Sequence, residues 1–371
     1  MAPVVVINAT SIGARPDGIG AYGVHLIRAL AAAPSGLDFE VLLNPDARRP
    51  LGAWTPPDWM RLRWTSRRVS PDQGSGGHLA RWAFANAVAW RRRRHVIFSL
   101  SQIEAAVGPG PNVVTVHDVI PLLFPEHHPR QYHFYRHFLG PALRRAAAIV
   151  TPSAATRNQL ALCYGLPRDK IHVIHHGPTV PALAAPRQQA TRRPFILCLA
   201  PPNPIKNVAA LLKAFALIQD RVREDLVIAG AGIGEAVDLQ RRANGAVASG
   251  RVALRPDVSE GEKIRLLDAA SALVCASLDE GFGLPPLEAM SRGCPVIASR
   301  AGSLPEVCGS AAAFVDPRDV RDIASTIRRL LGDEPWRRAL IRRGLKRARA
   351  FSWQLSARRH IDVLKEVCHV G

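Results

Sequence analysis

Two glutamates separated by seven residues, Glu280 and Glu288, stand in the segment DEGFGLPPLEAM, Asp279–Met290. A Gly-Phe-Gly turn lies between them, and Pro285 and Pro286 mark a helix start, where proline's fixed φ fits and its missing N–H costs nothing. Glycine at 281 and 283 removes the Cβ that would hold a ligand away from the backbone. The N–H groups and dipole of a helix N-terminus favour an anion there. A carboxylate beside such a phosphate cradle can hold sugar or ribose hydroxyls. On an isolated surface helix the same two acids would only cap and solvate it, so the pair alone decides nothing.

Lys206 lies in LAPPNPIKNVAALLKAF, Leu199–Phe215, between a buried strand and an amphipathic helix, where an ammonium can neutralise a departing diphosphate. His117 and Asp118, in TVHDVIPLLFPE, Thr115–Glu126, come just past another buried strand, and polar residues at such an edge face a ligand site. Each has a plainer reading: a solvated loop lysine, and a mutually satisfied histidine–aspartate pair. GIGAYG, Gly18–Gly23, spells the dinucleotide fingerprint. However, Ala9–Asp17 separate it from the first strand, and the second strand ends at Asn44 without an acid for a ribose. GAGIGE, Gly230–Glu235, has Glu235 where the third glycine belongs. Gly18–Tyr22 reads better as a flexible loop opening the first helix.

The glutamate segment continues as LDEGFGLPPLEAMSRGCPVIAS and GSLPEV. Over this stretch it resembles the Glu, seven residues, Glu signature of retaining GT-B glycosyltransferases of the family 4 type, which include many bacterial mannosyl- and rhamnosyltransferases. The resemblance implies that Glu280 contacts the donor sugar, that Glu288 holds the nucleotide ribose, and that the amides of Phe282, Gly283 and Leu284 meet the diphosphate. By the same resemblance Lys206 grips the donor phosphates, His117 contacts the sugar, and Asp118 positions the sugar or the acceptor. Gly20 then sits in a GIGRY-like turn facing donor phosphate and acceptor, and Glu306 is a structural or rim residue. TPSAATRNQL at Thr151, IHVIHHG at Ile171 and FSW at Phe351 extend the likeness over most of the chain. Ile205 departs from the pattern by standing where arginine is usual, and Pro201 and Pro202 occupy a stretch where many relatives place another. Phosphate grip then rests mainly on Lys206, with Arg255 placed to compensate.

The implied reaction uses no conventional protein nucleophile, because the leaving phosphate assists the acceptor at the front face, and it needs no obligatory metal. The co-substrate is a nucleotide diphosphate sugar, with GDP-mannose the leading donor on family frequency. The acceptor is a lipid-linked saccharide or oligosaccharide in cell-envelope polysaccharide assembly.

Placing these side chains requires α/β architecture. Apolar strand-like runs at Val4–Ile7, Glu40–Leu43, Val96–Leu100, Val113–Val116, Ala148–Val150 and Ile171–Ile174 alternate with helical patterns, which argues for βαβ units on a parallel sheet. A proline-rich stretch follows, and the pattern restarts. Strands are expected at Phe195–Leu199, Leu226–Ala229, Leu273–Ala276 and Pro295–Ser299, with helices at Asn207–Asp220, Gly261–Ala270 and Pro286–Arg292. The expectation is two doubly wound Rossmann-like domains facing a central cleft. Residues 1–180 form the acceptor side, 181–194 the linker, 195–350 the donor-nucleotide side, and 351–371 a C-terminal helix packing back on the first domain.

At 371 residues the chain suits two such domains, and 47% hydrophobic with 21% charged residues is an ordinary globular balance. The net charge of +19 favours anionic partners. Arginines 61, 63, 67, 68, 81 and 91–94 interleave with five tryptophans in residues 45–95. HLARWAFANAVAWRRRR gathers Leu79, Trp82, Ala83, Asn86 and Trp90 near one helical face, which suits contact with an anionic membrane surface. A core-facing helix with a solvated arginine end is the alternative. Six cysteines without metal or disulfide spacing read as reduced thiols. No signal peptide or 18-residue apolar run is visible, so a cytoplasmic protein, peripheral on the inner face of the plasma membrane, is expected. A nucleic-acid-binding protein would explain the charge, but no recognition module is present and no nucleic acid partner is expected. A nicotinamide-dependent oxidoreductase would rest on Gly18–Gly23 alone.

Overall fold

The computed structural model describes residues 2–15, 17–183, 193–200, 203–230 and 250–370. The chain divides into two compact units, one of residues 1–179 with 351–371, the other of residues 180–350.

In the first unit seven strands pair in parallel: β1 (Val4–Asn8), β2 (Asp38–Leu43), β3 (Met60–Trp64), β4 (Val96–Ser99), β5 (Asn112–Thr115), β6 (Ala148–Thr151) and β7 (Ile171–Val173). Their order is β3-β2-β1-β4-β5-β6-β7. Because side chains alternate across a strand, the two faces of β1 meet different helices. Val5 and Ile7 pack with Leu26 and Leu30 of helix α1 (Gly18–Ala31), while Val6 packs with Val88 of helix α2 (Gly74–Arg91).

The second unit holds six parallel strands: β8 (Phe195–Leu199), β9 (Asp225–Ala229), β10 (Val252–Arg255), β11 (Ala272–Cys275), β12 (Val296–Ser299) and β13 (Ala312–Val315). Their order is β10-β9-β8-β11-β12-β13. Ile196 and Cys198 pack with Leu211 and Phe215 of helix α3 (Val208–Ala216) and Ile323 and Ile327 of helix α6 (Val320–Gly332). Helices α4 (Glu260–Ala269) and α5 (Leu284–Ser291) carry site residues.

The last helix, α7 (Trp353–Val370), belongs to the first unit, where Ala357, Ile361 and Leu364 join the core under α1. Its first residue is held tightly. Trp353 stacks on His25 at 5.3 Å and on His176 at 5.6 Å, and its indole N–H donates to the Pro178 carbonyl at 2.9 Å. Gly177 is required by this close approach, since a Cβ there would stand 2.6 Å from the Trp353 nitrogen. Gly177→Ala is expected to cost about 1–3 kcal/mol, because backbone on one side must move, and a urea unfolding curve reads it directly.

Several sequence expectations are corrected. Gly18–Tyr22 is the first turn of α1, not a flexible loop, because the Asp17 carboxylate caps the helix. Helix α3 begins only at Val208, since Asn207 adopts the left-handed conformation, and it ends at Ala216 rather than Asp220. Strands β3, β10 and β13 were not expected. Arg81, grouped with the basic surface residues, is buried against the unit. On α2, Leu79 and Trp90 are exposed and Trp82 and Asn86 half-buried, while Ala85, Val88 and Ala89 pack into the unit and Arg91–Arg94 are exposed. Pro201, Pro202 and all but the first residue of Gly230–Glu235 lie outside the described residues, as does most of the 181–194 linker.

Candidate functional sites

In a doubly wound sheet, ligands bind beyond the carboxyl ends of the strands where the strand order reverses. In the second unit that point lies between β8 and β11. Lys206 follows β8 in a turn whose start is fixed by the Asn203 side chain accepting from the Ile205 N–H at 2.9 Å. Glu280 follows β11. The Lys206 ammonium donates to both Glu280 carboxylate oxygens, at 2.7 and 2.8 Å.

Both loops are held from behind. The Leu278 N–H donates to the Ile205 carbonyl at 2.8 Å, and Asn207 Nδ2 donates to the carbonyls of Ala276 at 3.0 Å and Pro317 at 2.7 Å. Ser277 Oγ donates to Glu280 Oε1 at 2.7 Å, while the backbone N–H and Oγ of Ser303 both donate to the Glu280 carbonyl, at 3.0 and 2.9 Å. Beneath the pair, burial first and the Glu280 charge second push the Cys275 thiol up to about 12. Burial does the same to Cys198. Both stay neutral, so the floor of the site is apolar and every charge above it is weakly screened.

Helix α5 opens from Gly283 at φ 93°, a conformation that favours glycine, and a Cβ there would also strike Leu304 at 2.7 Å. Phe282 is buried and Leu284 half-buried at this turn. Glu288, on the second turn, is buried, and Lys263 of α4 donates to its Oε1 at 3.1 Å while pairing with Glu260 at 3.0 Å. Burial alone would depress the Lys263 ammonium, but the carboxylates of Glu288 and Glu260 outweigh it and hold its pKa above the usual value. Arg255 lies exposed at the end of edge strand β10.

In the first unit the order reverses between β1 and β4. The loop after β1 is fixed by Asn44, which donates to the carbonyls of Thr10 at 2.9 Å and Ile12 at 2.8 Å. The Gly20 N–H at the start of α1 donates to Asp17 Oδ1 at 2.9 Å, so its own amide is engaged. His117 follows β5 and reaches the neighbouring strand's end, with Nε2 2.9 Å from the Leu100 carbonyl. A carbonyl can only accept, so Nε2 carries the proton and Nδ1 the lone pair. Burial lowers this imidazole to about 4, which keeps it neutral. The Asp118 carboxylate accepts from the Ile120 N–H at 3.0 Å, and Gln102 accepts from the His117 N–H at 3.1 Å.

Some neighbours escaped sequence reading. Glu104 is fully buried, accepts from Thr10 Oγ1 at 3.0 Å, and is pushed up to about 7 by burial against the opposing pull of Arg81. Tyr22 stands against His117 at 4.8 Å, its hydroxyl 3.0 Å from both Thr115 Oγ1 and His360 Nε2. No local spacing signals these groups, since positions 22, 104, 117, 176 and 360 meet only through the sheet and α7.

Residues 182–347 match the family model described as Glycosyl transferases group 1, and residues 16–178 match the one described as Glycosyltransferase Family 4. Over 265 residues the chain is 32% identical to the O-antigen chain mannosyltransferase B of Escherichia coli, a match spanning 68% of this chain and 70% of that protein. Its fold is similar to the sucrose-phosphate synthase of Thermosynechococcus elongatus, with a TM-score of 0.75 at 18% identity over 100% of both chains. It is also similar to Anabaena HepE, solved in complex with UDP and glucose, with a TM-score of 0.70 at 16% identity over 98% of this chain and 100% of that one. With a family model matched on each half and a parallel-sheet α/β unit beneath each, the chain belongs to the group 1, family 4 glycosyltransferases.

Proposed function

We propose that the enzyme transfers a mannosyl unit with retention from GDP-mannose to a lipid-linked or polysaccharide acceptor in envelope glycan assembly. The observation that carries this reading is the Lys206–Glu280 pair at the switch point of the second unit. When a nucleotide sugar arrives, the Lys206 ammonium turns from Glu280 to the diphosphate and meets the charge that develops as the glycosidic bond breaks. Glu280, kept in place by Ser277 and Ser303, then accepts hydroxyl protons of the sugar. Amides of Phe282, Gly283 and Leu284 add to the phosphate grip, and Glu288 holds the ribose. This division of labour requires no metal. His117 offers its Nδ1 lone pair to a sugar hydroxyl, Asp118 positions the sugar or acceptor, and the turn at Gly20 borders the phosphate. Mannose is supported by the name of the E. coli relative, and a nucleotide-sugar donor by the UDP and glucose bound to HepE.

Among the described residues no helix is long and apolar enough to cross a membrane. The exposed Leu79 and Trp90 on α2, followed by the exposed Arg91–Arg94, support a peripheral position on the inner face of the plasma membrane.

Gly302 gives a specific check. It lies at φ 53°, and a Cβ would stand 2.5 Å from the Glu280 carbonyl oxygen and 2.6 Å from Asp279 Oδ1. Gly302→Ala is expected to displace Glu280 and lower kcat about 100-fold, more than its effect on Tm would suggest. The function itself is tested by proton NMR of the glycoside formed from GDP-mannose and a short alkyl mannoside. An α-linked product with release of GDP is expected. A β-linked product overturns retention, and absence of GDP release overturns the donor assignment.

A further inference from the structure

We propose that the first unit carries a pocket for the hydrocarbon chain of a diphosphate-bearing lipid acceptor. It is a cavity of about 660 Å³ between α2 and the helical segment Pro129–Arg145. The word acceptor rests on the transfer reading above; the pocket itself does not.

The volume lies in the range of small-molecule sites. One wall is Leu79, Trp82, Ile103, Phe134, Tyr135 and Phe138, and the rest of the lining is largely histidine, with Arg130 and Gln131. A free sugar or nucleotide needs polar partners along every edge, and on this wall the six side chains offer few, one phenol and one indole. A hydrocarbon chain needs none. Trp82 meets Phe138 edge-on at 5.6 Å, and Phe138 stacks on Phe134 at 6.2 Å. Leu79 is 70% exposed and Phe138 48% exposed, so both leave apolar surface at the mouth that the fold itself does not cover.

The head of the occupant follows from charge. Along the mouth run His127, Arg130 and His133, and the same segment continues through Arg136 and His137, with Glu126 the single acid in residues 125–137. An anionic head completes this arrangement. Two ring nitrogens on lining residues, Trp82 Nε1 and His128 Nε2, are buried without a hydrogen-bond partner among the described residues, and both can bond a polar group of a ligand.

Continuity with the first unit's site argues for an acceptor rather than a lipid of the bulk bilayer. The Tyr135 hydroxyl on the pocket wall accepts from Gln102 Nε2 at 2.7 Å, and Gln102 Oε1 accepts from the His117 N–H at 3.1 Å. On the other wall His78 bonds Arg81 at 3.2 Å, whose charge acts on Glu104 beside Thr10. The inner end of the pocket is therefore two hydrogen bonds from the residue proposed to touch the sugar. The backbone widens here into a π turn at Tyr135–Leu139, a local irregularity that recurs at functional sites.

The test is calorimetric titration of the full chain, without donor, with farnesyl diphosphate, geranyl diphosphate and inorganic diphosphate below any micelle concentration. Farnesyl diphosphate is expected to bind at least tenfold more tightly than geranyl diphosphate, in line with the gain per buried methylene. Leu79→Asp and Phe138→Asp, both at exposed positions, are expected to weaken it at least tenfold with Tm unchanged. Equal affinity for the two chains, or aspartate variants that bind like wild type, overturns the pocket by reducing binding to charge alone. Displacement of farnesyl diphosphate by phosphatidylglycerol vesicles overturns the acceptor in favour of a bilayer lipid. Binding of a nucleotide sugar without farnesyl diphosphate sinks the pocket only. Binding of farnesyl diphosphate without any nucleotide sugar leaves the pocket standing and sinks the transfer reading.

Discussion

Lys206→Met is expected to lower kcat about 10²–10³-fold, the loss seen when one preorganised donor to developing charge is removed. Methionine keeps the length and apolar stem of lysine, so packing in the turn after β8 changes little. What disappears is the cation that meets the leaving diphosphate. A second consequence separates this account from simple damage. Glu280 is only 7% exposed, and without Lys206 its carboxylate keeps Ser277 as a partner but loses its counter-charge. Stranding a buried charge in this way costs about 3 kcal/mol or more. The double variant Lys206→Met/Glu280→Gln is therefore expected to regain most of the lost stability while staying inactive. Steady-state kinetics beside urea unfolding of the single and double variants checks both halves, and recovery of activity in the double variant would exclude Lys206 from the chemistry.

Acidification from pH 7.5 to 5 is expected to destabilise the first unit through its buried histidines. His117 and His360 are each lowered to about 4, and His176 well below its usual value, all by burial first. A histidine with a depressed folded pKa stays neutral in the native state while the unfolded chain takes up a proton. Stability is then full above about 6.5 and falls as pH drops towards 4. Between pH 7.5 and 5, His117 and His360 each forfeit about 2 kcal/mol, and His176 adds to the loss. Glu104 works in the opposite sense. Its folded pKa near 7 lies above the unfolded value, so protonation on acidification returns about 2 kcal/mol over the same range. The net is a loss of about 2 kcal/mol, to which His176 adds. Urea midpoints at the two pH values measure it. His176→Phe should flatten the dependence and Glu104→Gln should steepen it, and a flat profile in the wild type would contradict the buried neutral cluster.

Each strand that sequence reading missed lies at a sheet edge, where of the four edge strands only β7 was found. Every interior strand appears as an apolar run, because both of its faces are covered. Strands β3, β10 and β13 are sheet edges. MRLRW in β3 alternates arginines towards solvent and buries only Met60, so it looks like a basic loop. VALR in β10 and the alanine-rich AAFV in β13 carry equally weak signals. The site divides in a similar way. Lys206, Glu280, Glu288, His117 and Asp118 were visible because each follows a strand or opens a helix. Their partners were not. Lys263 reaches Glu288 from another helix, Ser303 grips Glu280 from the loop after the neighbouring strand β12, and Gly302 matters only because the Glu280 backbone passes beside it. The direct pairing of Lys206 with Glu280 joins two loops 74 residues apart, a relation that spacing along a chain does not encode.

The central claim is that the second unit binds a nucleotide diphosphate sugar through the residues around the β8–β11 switch point. It is tested most directly by a thermal-shift panel of GDP-, UDP-, dTDP- and ADP-sugars on the wild type and on Glu288→Ala. The account predicts that one nucleotide series, with GDP-mannose foremost, raises Tm in the wild type, and that Glu288→Ala loses the shift while remaining folded. No stabilisation by any nucleotide sugar, or an undiminished shift in the variant, would contradict it.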